Sequence, residues 1–180
     1  MTPILRHAIR GHVPMALIDA TGQGTGKTIL SELIALLATG NDPALLSMPY
    51  TGEEWAKTIT TSLMAGRSVI VLDNVGREIS ADELAQVLTA DTWTCRILGL
   101  NREARVAHRA IWIANGNNIK VRGDFGSRCY WIRLDADISR PWERTGFRHA
   151  DVKSFVRAER GHLISAVLTM ARGWYLAGQP

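Results

Sequence analysis

The stretch that most constrains the fold is Ala16-Leu17-Ile18-Asp19-Ala20-Thr21-Gly22-Gln23-Gly24-Thr25-Gly26-Lys27-Thr28, an apolar run that enters a glycine-rich turn and then a helical pattern opening at a lysine. Strand, loop and helix in that order are what a phosphate-binding loop requires. Gly22, Gly24 and Gly26 are expected to take positive φ and turn successive N–H groups toward an anion, where the dipole of the following helix adds to them. Gln23 and Thr25 lie between them in the same cradle. Lys27 is placed to reach the β- and γ-phosphates of a bound nucleotide, and the Thr28 hydroxyl to ligate Mg²⁺. Thr21 stands six residues before Lys27, where the motif G-x-x-x-x-G-K-[ST] has its first glycine. The loop tolerates this if Thr21 keeps negative φ at the strand end. The competing reading is a glycine-rich turn that holds nothing.

A second continuous apolar run, Ser68-Val69-Ile70-Val71-Leu72-Asp73-Asn74, ends in an acid. Absence of alternation suits a central parallel strand buried on both faces. Asp73 then emerges at the carboxyl edge of the sheet beside the phosphate loop, placed to hold the Mg²⁺ hydration shell as a Walker B aspartate does. A strand-end aspartate can also be a plain turn residue.

Other elements are expected around these two. Residues 1–14 read as a lead-in too short for a further domain, and apolar residues from Ile29 to Leu37 form one face of a helix that Gly40 can cap. Ala44 to Met48 reads as a short strand. Thr51-Gly52-Glu53-Glu54 reads as a capping box opening a helix with Trp55, Ile59 and Leu63 that stops at Gly66, and Ser80 to Glu83 as a second box before Leu84, Val87 and Leu88. Thr94–Leu100 and Ala104–Ala114 read as extended segments joined by a hairpin at Asn101-Arg102-Glu103. The latter ends in Ala110-Ile111-Trp112-Ile113-Ala114, followed by Asn115-Gly116-Asn117-Asn118. Residues 122–128 read as a loop and Cys129–Leu134 as a last strand. Past Pro141 and Gly146, Asp151 is expected to cap a short helix closed at Gly161, followed by a final helix over 162–177. Its apolar stripe is expected to pack on the sheet domain or on a neighbouring subunit.

Charge is distributed unevenly. Residues 1–95 carry six Lys/Arg and ten Asp/Glu, while residues 96–180 carry fifteen and seven, so an acidic half precedes a basic one. A basic half is a solvated surface, a phosphate site or a nucleic-acid track. In the hairpin segment Arg102 falls at the tip, and Arg96, Arg105, His108 and Arg109 on the arms. No stretch approaches the roughly 20 apolar residues of a membrane span, and Cys95 and Cys129 form no C-x-x-C pair. The expectation is a cytoplasmic protein with buried thiols.

The ordered set of motifs resembles the AAA+ ATPases over about residues 15–135. The resemblance implies an α/β P-loop core, residues 1–140, with a five-stranded, mostly parallel sheet flanked by helices, and a short helical, lid-like segment over 141–180. Gly24-Thr25-Gly26-Lys27-Thr28 matches the family's P-loop, and Asp73 its Walker B acid. Asn115 or Asn117 falls at the family's sensor asparagine, which positions the attacking water. Arg128 falls at its arginine finger. The segment 94–109 looks like the pre-sensor hairpin of superfamily 3 and minichromosome-maintenance-like helicases. Leu98-Gly99-Leu100, Ala114-Asn115-Gly116-Asn117-Asn118 and Arg140-Pro141-Trp142-Glu143-Arg144-Thr145-Gly146-Phe147-Arg148-His149 more narrowly resemble ATPase domains of phage and integrative-element primase-helicase proteins.

That resemblance implies ATP and Mg²⁺ as cofactors, DNA as partner with Arg102 and Arg105 on its phosphates, and a homo-oligomeric ring, hexameric in expectation. A primase module would lie elsewhere on the polypeptide or on another chain. Where many AAA+ proteins have a glutamate as general base, this chain has Asn74, which can orient water but cannot accept its proton. Glu78 is the nearest acid that could substitute, and Arg140 and Arg144 are the candidates for a lid arginine. Three functions compete: an ATP-hydrolysing DNA motor, an ATP-gated switch or loader, and a small P-loop kinase, which leaves the hairpin unexplained.

Overall fold

The computed structural model describes residues 1–96 and 103–178. Five strands form one sheet in the order β2-β3-β6-β1-β7: β1 (Met15–Ala20), β2 (Leu45–Leu46), β3 (Val69–Val75), β6 (Ile111–Asn117) and β7 (Cys129–Leu134). Every neighbouring pair in it is parallel. All carboxyl ends therefore lie on one edge, and β6 lies between β1 and β3. The asparagines that end β6 are thus delivered between the loop after β1 and the acid near the end of β3.

The unbroken apolar runs are explained by two cores, one on each face of the sheet. Met15 and Leu17 of β1, Ile70 and Leu72 of β3, and Trp112 and Ala114 of β6 pack with Trp55, Ile59 and Leu63 of α3 (Gly52–Met64) and Leu84, Val87 and Leu88 of α4 (Asp82–Leu88). The alternate residues Ala16, Ile18, Val69, Val71, Ile111 and Ile113 pack with Leu30, Ile34 and Ala35 of α2 (Lys27–Thr39). Period-two alternation of side chains makes every residue of such a strand a core residue of one face or the other. A short helix, α1 (Thr2–Leu5), precedes β1.

Helix boundaries follow local chemistry. Gly40 ends α2 in the left-handed conformation with φ +81°, its N–H on the Leu36 carbonyl. Thr51 Oγ1 accepts from the Glu54 N–H at 3.2 Å while Glu54 Oε2 accepts from the Thr51 N–H at 3.2 Å, so this capping box is formed. The box expected at Ser80 is not: α4 starts from Ala81 without a side-chain cap. Glu83 instead turns toward the start of α3, where a side chain at position 52 would meet its carboxylate.

The segment expected to run extended from 104 to 114 divides at His108. Before it, β5 (Glu103–Ala107) pairs antiparallel with β4 (Thr92–Arg96) in a separate two-stranded sheet; after it the chain enters the central sheet as β6. The hairpin is therefore present as antiparallel arms, and its tip, with Arg102 and Leu98-Gly99-Leu100, lies outside the described residues. Residues 123–128 form a 3-10 turn leading into β7.

Asp151 caps the last helix by accepting from the Ser154 N–H at 3.0 Å, but the break expected at Gly161 does not occur: α5 runs without interruption from Val152 to Leu176. Glycine inside a helix costs only about 1 kcal/mol relative to alanine. It ends a helix when it adopts positive φ, which Gly161 does not. α5 packs on α2 through the ion pair of Lys153 with Glu32 at 2.7 Å and through Arg160, which donates to the Leu37 and Ala38 carbonyls at the end of α2, and Arg157 pairs with Asp42 in the loop that follows. The second half of α5 leaves Leu168, Met170, Trp174 and Tyr175 exposed. No helix among the described residues is long and apolar enough to cross a membrane.

Candidate nucleotide site at the carboxyl edge of the sheet

The loop leaves β1 at Ala20 and returns as α2 at Lys27. Gly24 and Gly26 take φ of +72° and +89°, whereas Gly22 does not enter the positive-φ region, contrary to the expectation for three such glycines. Thr21 stays out of it as well, so a threonine is compatible with this end of the loop. Lys27 is buried and its ammonium donates to the Gly22 carbonyl at 2.8 Å and to Thr25 Oγ1 at 2.9 Å. Burial holds its pKa below the ordinary lysine value, and the carboxylate of Asp19 opposes that shift. Gln23 is exposed on the outside of the turn.

Across the sheet edge, Thr28 Oγ1 donates to Asp73 Oδ1 at 3.0 Å, joining the first turn of α2 to β3. The strand geometry explains how Asp73 gets there. Pairing of β3 with β6 is regular through Leu72, slips before Val75, and places Asn74 at φ +54°. Such a bulge rotates a strand end out of its register, and asparagine is among the few non-glycine residues that accept the left-handed conformation. Asn74 is thus first a backbone device, and its own side chain is exposed.

The structure separates Asn115 from Asn117, which were equivalent in the sequence. Asn115 is 1% exposed; its Oδ1 accepts from the Asn74 N–H at 3.1 Å and its Nδ2 donates to Ser31 Oγ at 3.0 Å. Ser31 in turn donates to the Thr28 carbonyl at 2.8 Å. Asn115 is therefore committed to holding the β3 bulge and α2 together. Asn117, two residues nearer the edge, has a buried Oδ1 without a hydrogen-bond partner among the described residues. A buried acceptor without a protein partner is one that a ligand or an ordered water can satisfy.

Two groups escaped notice in the sequence. Asp19 is buried and accepts from the Ile119 N–H at 2.9 Å, tying the loop after β6 to β1. Ser31 is fully buried and links Thr28 to Asn115. The signal for both was a polar residue where the apolar period demanded a core side chain.

The other candidates lie elsewhere. Glu78 lines a recess with Tyr50, Arg77 and Asp82, between the starts of α3 and α4. Arg128 ends the 3-10 turn at the amino edge of the sheet, one residue before the Cys129 that pairs with Met15, and so lies opposite the edge that carries its own glycine loop. It donates to the Ala85 carbonyl at 2.6 Å and pairs with Asp124 at 3.0 Å. Arg105 is exposed on the hairpin and so is Arg109, but His108 is not a cationic hairpin residue. It is 3% exposed and packed at the hairpin's root. Its Nδ1 lies 3.1 Å from the Ala90 carbonyl, and Trp112 Nε1 donates to its Nε2 at 3.2 Å. A carbonyl only accepts and an indole only donates, so the imidazole is the neutral Nδ1–H tautomer. Arg140 pairs with Glu143, and Arg144 sits over the Phe147 ring.

Thr28 and Asp73 supply two hard oxygen donors side by side, the ligand chemistry of Mg²⁺, which takes one or two protein oxygens and completes its shell with phosphate and water. No group of three His, Cys, Asp or Glu side chains suited to a metal occurs among the described residues.

These features define an α/β protein with an all-parallel five-stranded sheet, a glycine loop leading into a helix at its carboxyl edge, and an antiparallel hairpin before the strand that separates loop and acid. Among solved structures the chain is similar to the A form apo structure of the C-terminal region of NrS-1, with a TM-score of 0.56 and 16% identity, over 87% of this chain and 36% of that one. At that identity the likeness is one of fold, and this chain spans about a third of the NrS-1 region. No protein-family model and no curated protein matches the sequence.

Proposed function

We propose that the chain is an ATP-hydrolysing, Mg²⁺-dependent motor domain of AAA+ type that acts on DNA in the replication of a phage, plasmid or integrative element. The observation that carries this reading is the contact of Thr28 with Asp73 at the edge where the loop, α2 and β6 meet. In a phosphoryl-transfer site the protein contributes position and charge more than covalent chemistry. Lys27 would neutralise the β- and γ-phosphates, and Thr28 and Asp73 would hold the metal, which when bound supplies charge neutralisation to the phosphates. Asn117, with its free amide oxygen, is the better candidate to orient water; Asn115 positions the acid through Asn74. Arg128 cannot serve the site of its own chain from the amino edge. It would act on a neighbour in a homo-oligomeric ring, exchanging its tie to Asp124 for the neighbour's γ-phosphate. Arg105, and Arg102 at the tip, would follow DNA phosphates without reading bases.

One observation favours an ATP-gated switch that turns over slowly: Asn74 follows Asp73, and Glu78 is placed in a recess away from it. The ATPase rate with and without single-stranded DNA separates the readings. Strong stimulation selects the motor, and ATP binding with negligible turnover under both conditions selects the switch. Lys27→Ala should abolish hydrolysis and weaken binding, and Asp73→Ala should retain some binding without Mg²⁺-dependent turnover. Parental turnover in either variant removes the site assignment.

A further inference from the structure

Between β7 and α5 the chain passes back over the phosphate loop. A side chain built at Gly24 would lie 2.8 Å from the Trp142 backbone N and 2.9 Å from Trp142 Cβ, so the backbone at 142 rests directly on the loop. The turn that carries it, Pro141–Glu143, is closed by its own bonds: the Glu143 N–H donates to the Arg140 carbonyl at 3.1 Å, the Arg144 N–H donates to the Pro141 carbonyl at 3.3 Å, and Arg140 pairs with Glu143. Pro141 is buried, whereas the Trp142 side chain next to it remains 61% exposed. The flanking segments are anchored to the same unit, β7 by pairing with β1 and α5 by its ion pairs with α2. The turn therefore fixes an indole in solvent beside a phosphate cradle, although tryptophan has the largest apolar surface to gain from burial.

We propose that Trp142 is the platform on which the nucleobase of the bound nucleotide stacks. The proposal rests on the nucleotide reading of the site and adds what grips the base. A nucleotide with its phosphates at Gly24–Lys27 would have its base one sugar away, on the surface of the loop, where an exposed indole offers a flat face to a flat aromatic ring. Stacking of a base on an aromatic side chain tolerates different bases, a purine offering the larger face. Recognition then divides in two. The loop reads the triphosphate by charge, and the turn after β7 reads the base by shape.

The test compares ATP with inorganic tripolyphosphate, both with Mg²⁺, titrated calorimetrically into the full chain and into Trp142→Ala and Trp142→Phe. Tripolyphosphate has the phosphates and no base. Trp142→Ala should bind ATP about tenfold more weakly and tripolyphosphate with parental affinity, and Trp142→Phe should recover most of the ATP affinity. The proposal is overturned if Trp142→Ala binds ATP as the parent does, or if both ligands weaken equally, which would make the turn a support for the loop alone. A parent chain that binds neither ligand overturns the nucleotide reading and this proposal together.

Discussion

Asn115 and Asn117 are two residues apart on one strand, yet their replacement by alanine should have opposite signatures. Asn115→Ala deletes the acceptor of the Asn74 N–H and the donor to Ser31 Oγ, bonds of 3.1 and 3.0 Å around a side chain that is 1% exposed. Each bond contributes about 0.5–1.5 kcal/mol, and a buried partner left unsatisfied raises that figure. Ser31 keeps its own bond to Thr28, and Asn74 lies near solvent, so the upper end of the range does not apply twice. With the void left by the amide, the total is about 2–3 kcal/mol. For a domain of this size that is a fall in Tm of about 4–12 °C. Asn117→Ala removes an oxygen that bonds nothing in the protein, so its effect on stability should stay within about 0.5 kcal/mol, while kcat falls at least about tenfold if the amide orients water. Chemical denaturation gives the first quantity and steady-state ATPase at saturating nucleotide the second. The division of labour is wrong if Asn115→Ala is as stable as the parent, or if Asn117→Ala is as unstable as Asn115→Ala or turns over at the parental rate.

Further consequences can be measured directly. Gly24→Ala places a Cβ against the Trp142 backbone at φ +72° and should weaken ATP binding, whereas Gly22→Ala has open space and no positive φ and should leave affinity and Tm unchanged. Asn74→Ala strains the bulge by about 1 kcal/mol, but Asn74→Gly does not, so a loss of kcat in both variants assigns the side chain a catalytic part and a loss in the alanine variant alone assigns it a structural one. His108 has its pKa pushed below 6.5 by burial, with Arg6, His12 and Arg109 adding to the shift, and Asp91 the acid beside Arg6 and His12. The unfolded chain therefore binds the proton first. Stability should be full above pH 6.5 and decline as pH falls toward the lowered value, by up to about 1.4 kcal/mol per pH unit from this group; His108→Gln should lose that part of the acid slope in urea titrations. Arg128→Ala should bind ATP without hydrolysing it, and mixing it with Lys27→Ala subunits should restore turnover in mixed rings. Inactive mixtures of subunits shown to co-assemble would exclude a finger donated in trans.

Much of the architecture was legible in the chain itself. The apolar runs at 15–18, 69–72 and 111–114 had no alternation, and a sheet covered on both faces buries both sets of side chains. Gly24-Thr25-Gly26-Lys27-Thr28 located the turn into α2 because positive φ is a local requirement, met at Gly24 and Gly26. Caps at Thr51, Gly40 and Asp151 were readable for the same reason. What tertiary structure alone decided were relations between distant residues. Strand order put β6 between β1 and β3, and from that followed which asparagine is tied down and which keeps a free oxygen. Parallel pairing carried Arg128 to the edge away from its own loop. Folding at the hairpin's root turned His108 from an apparent surface cation into a buried neutral clamp. The helix ran on through Gly161, which keeps a helical φ, while its first half, before that glycine, was docked by Arg157 on Asp42 and Arg160 on the end of α2, a gain that no local propensity records. Trp142 came to the glycine loop over more than a hundred residues of sequence, and a contact at that range is set by packing, which a motif cannot encode.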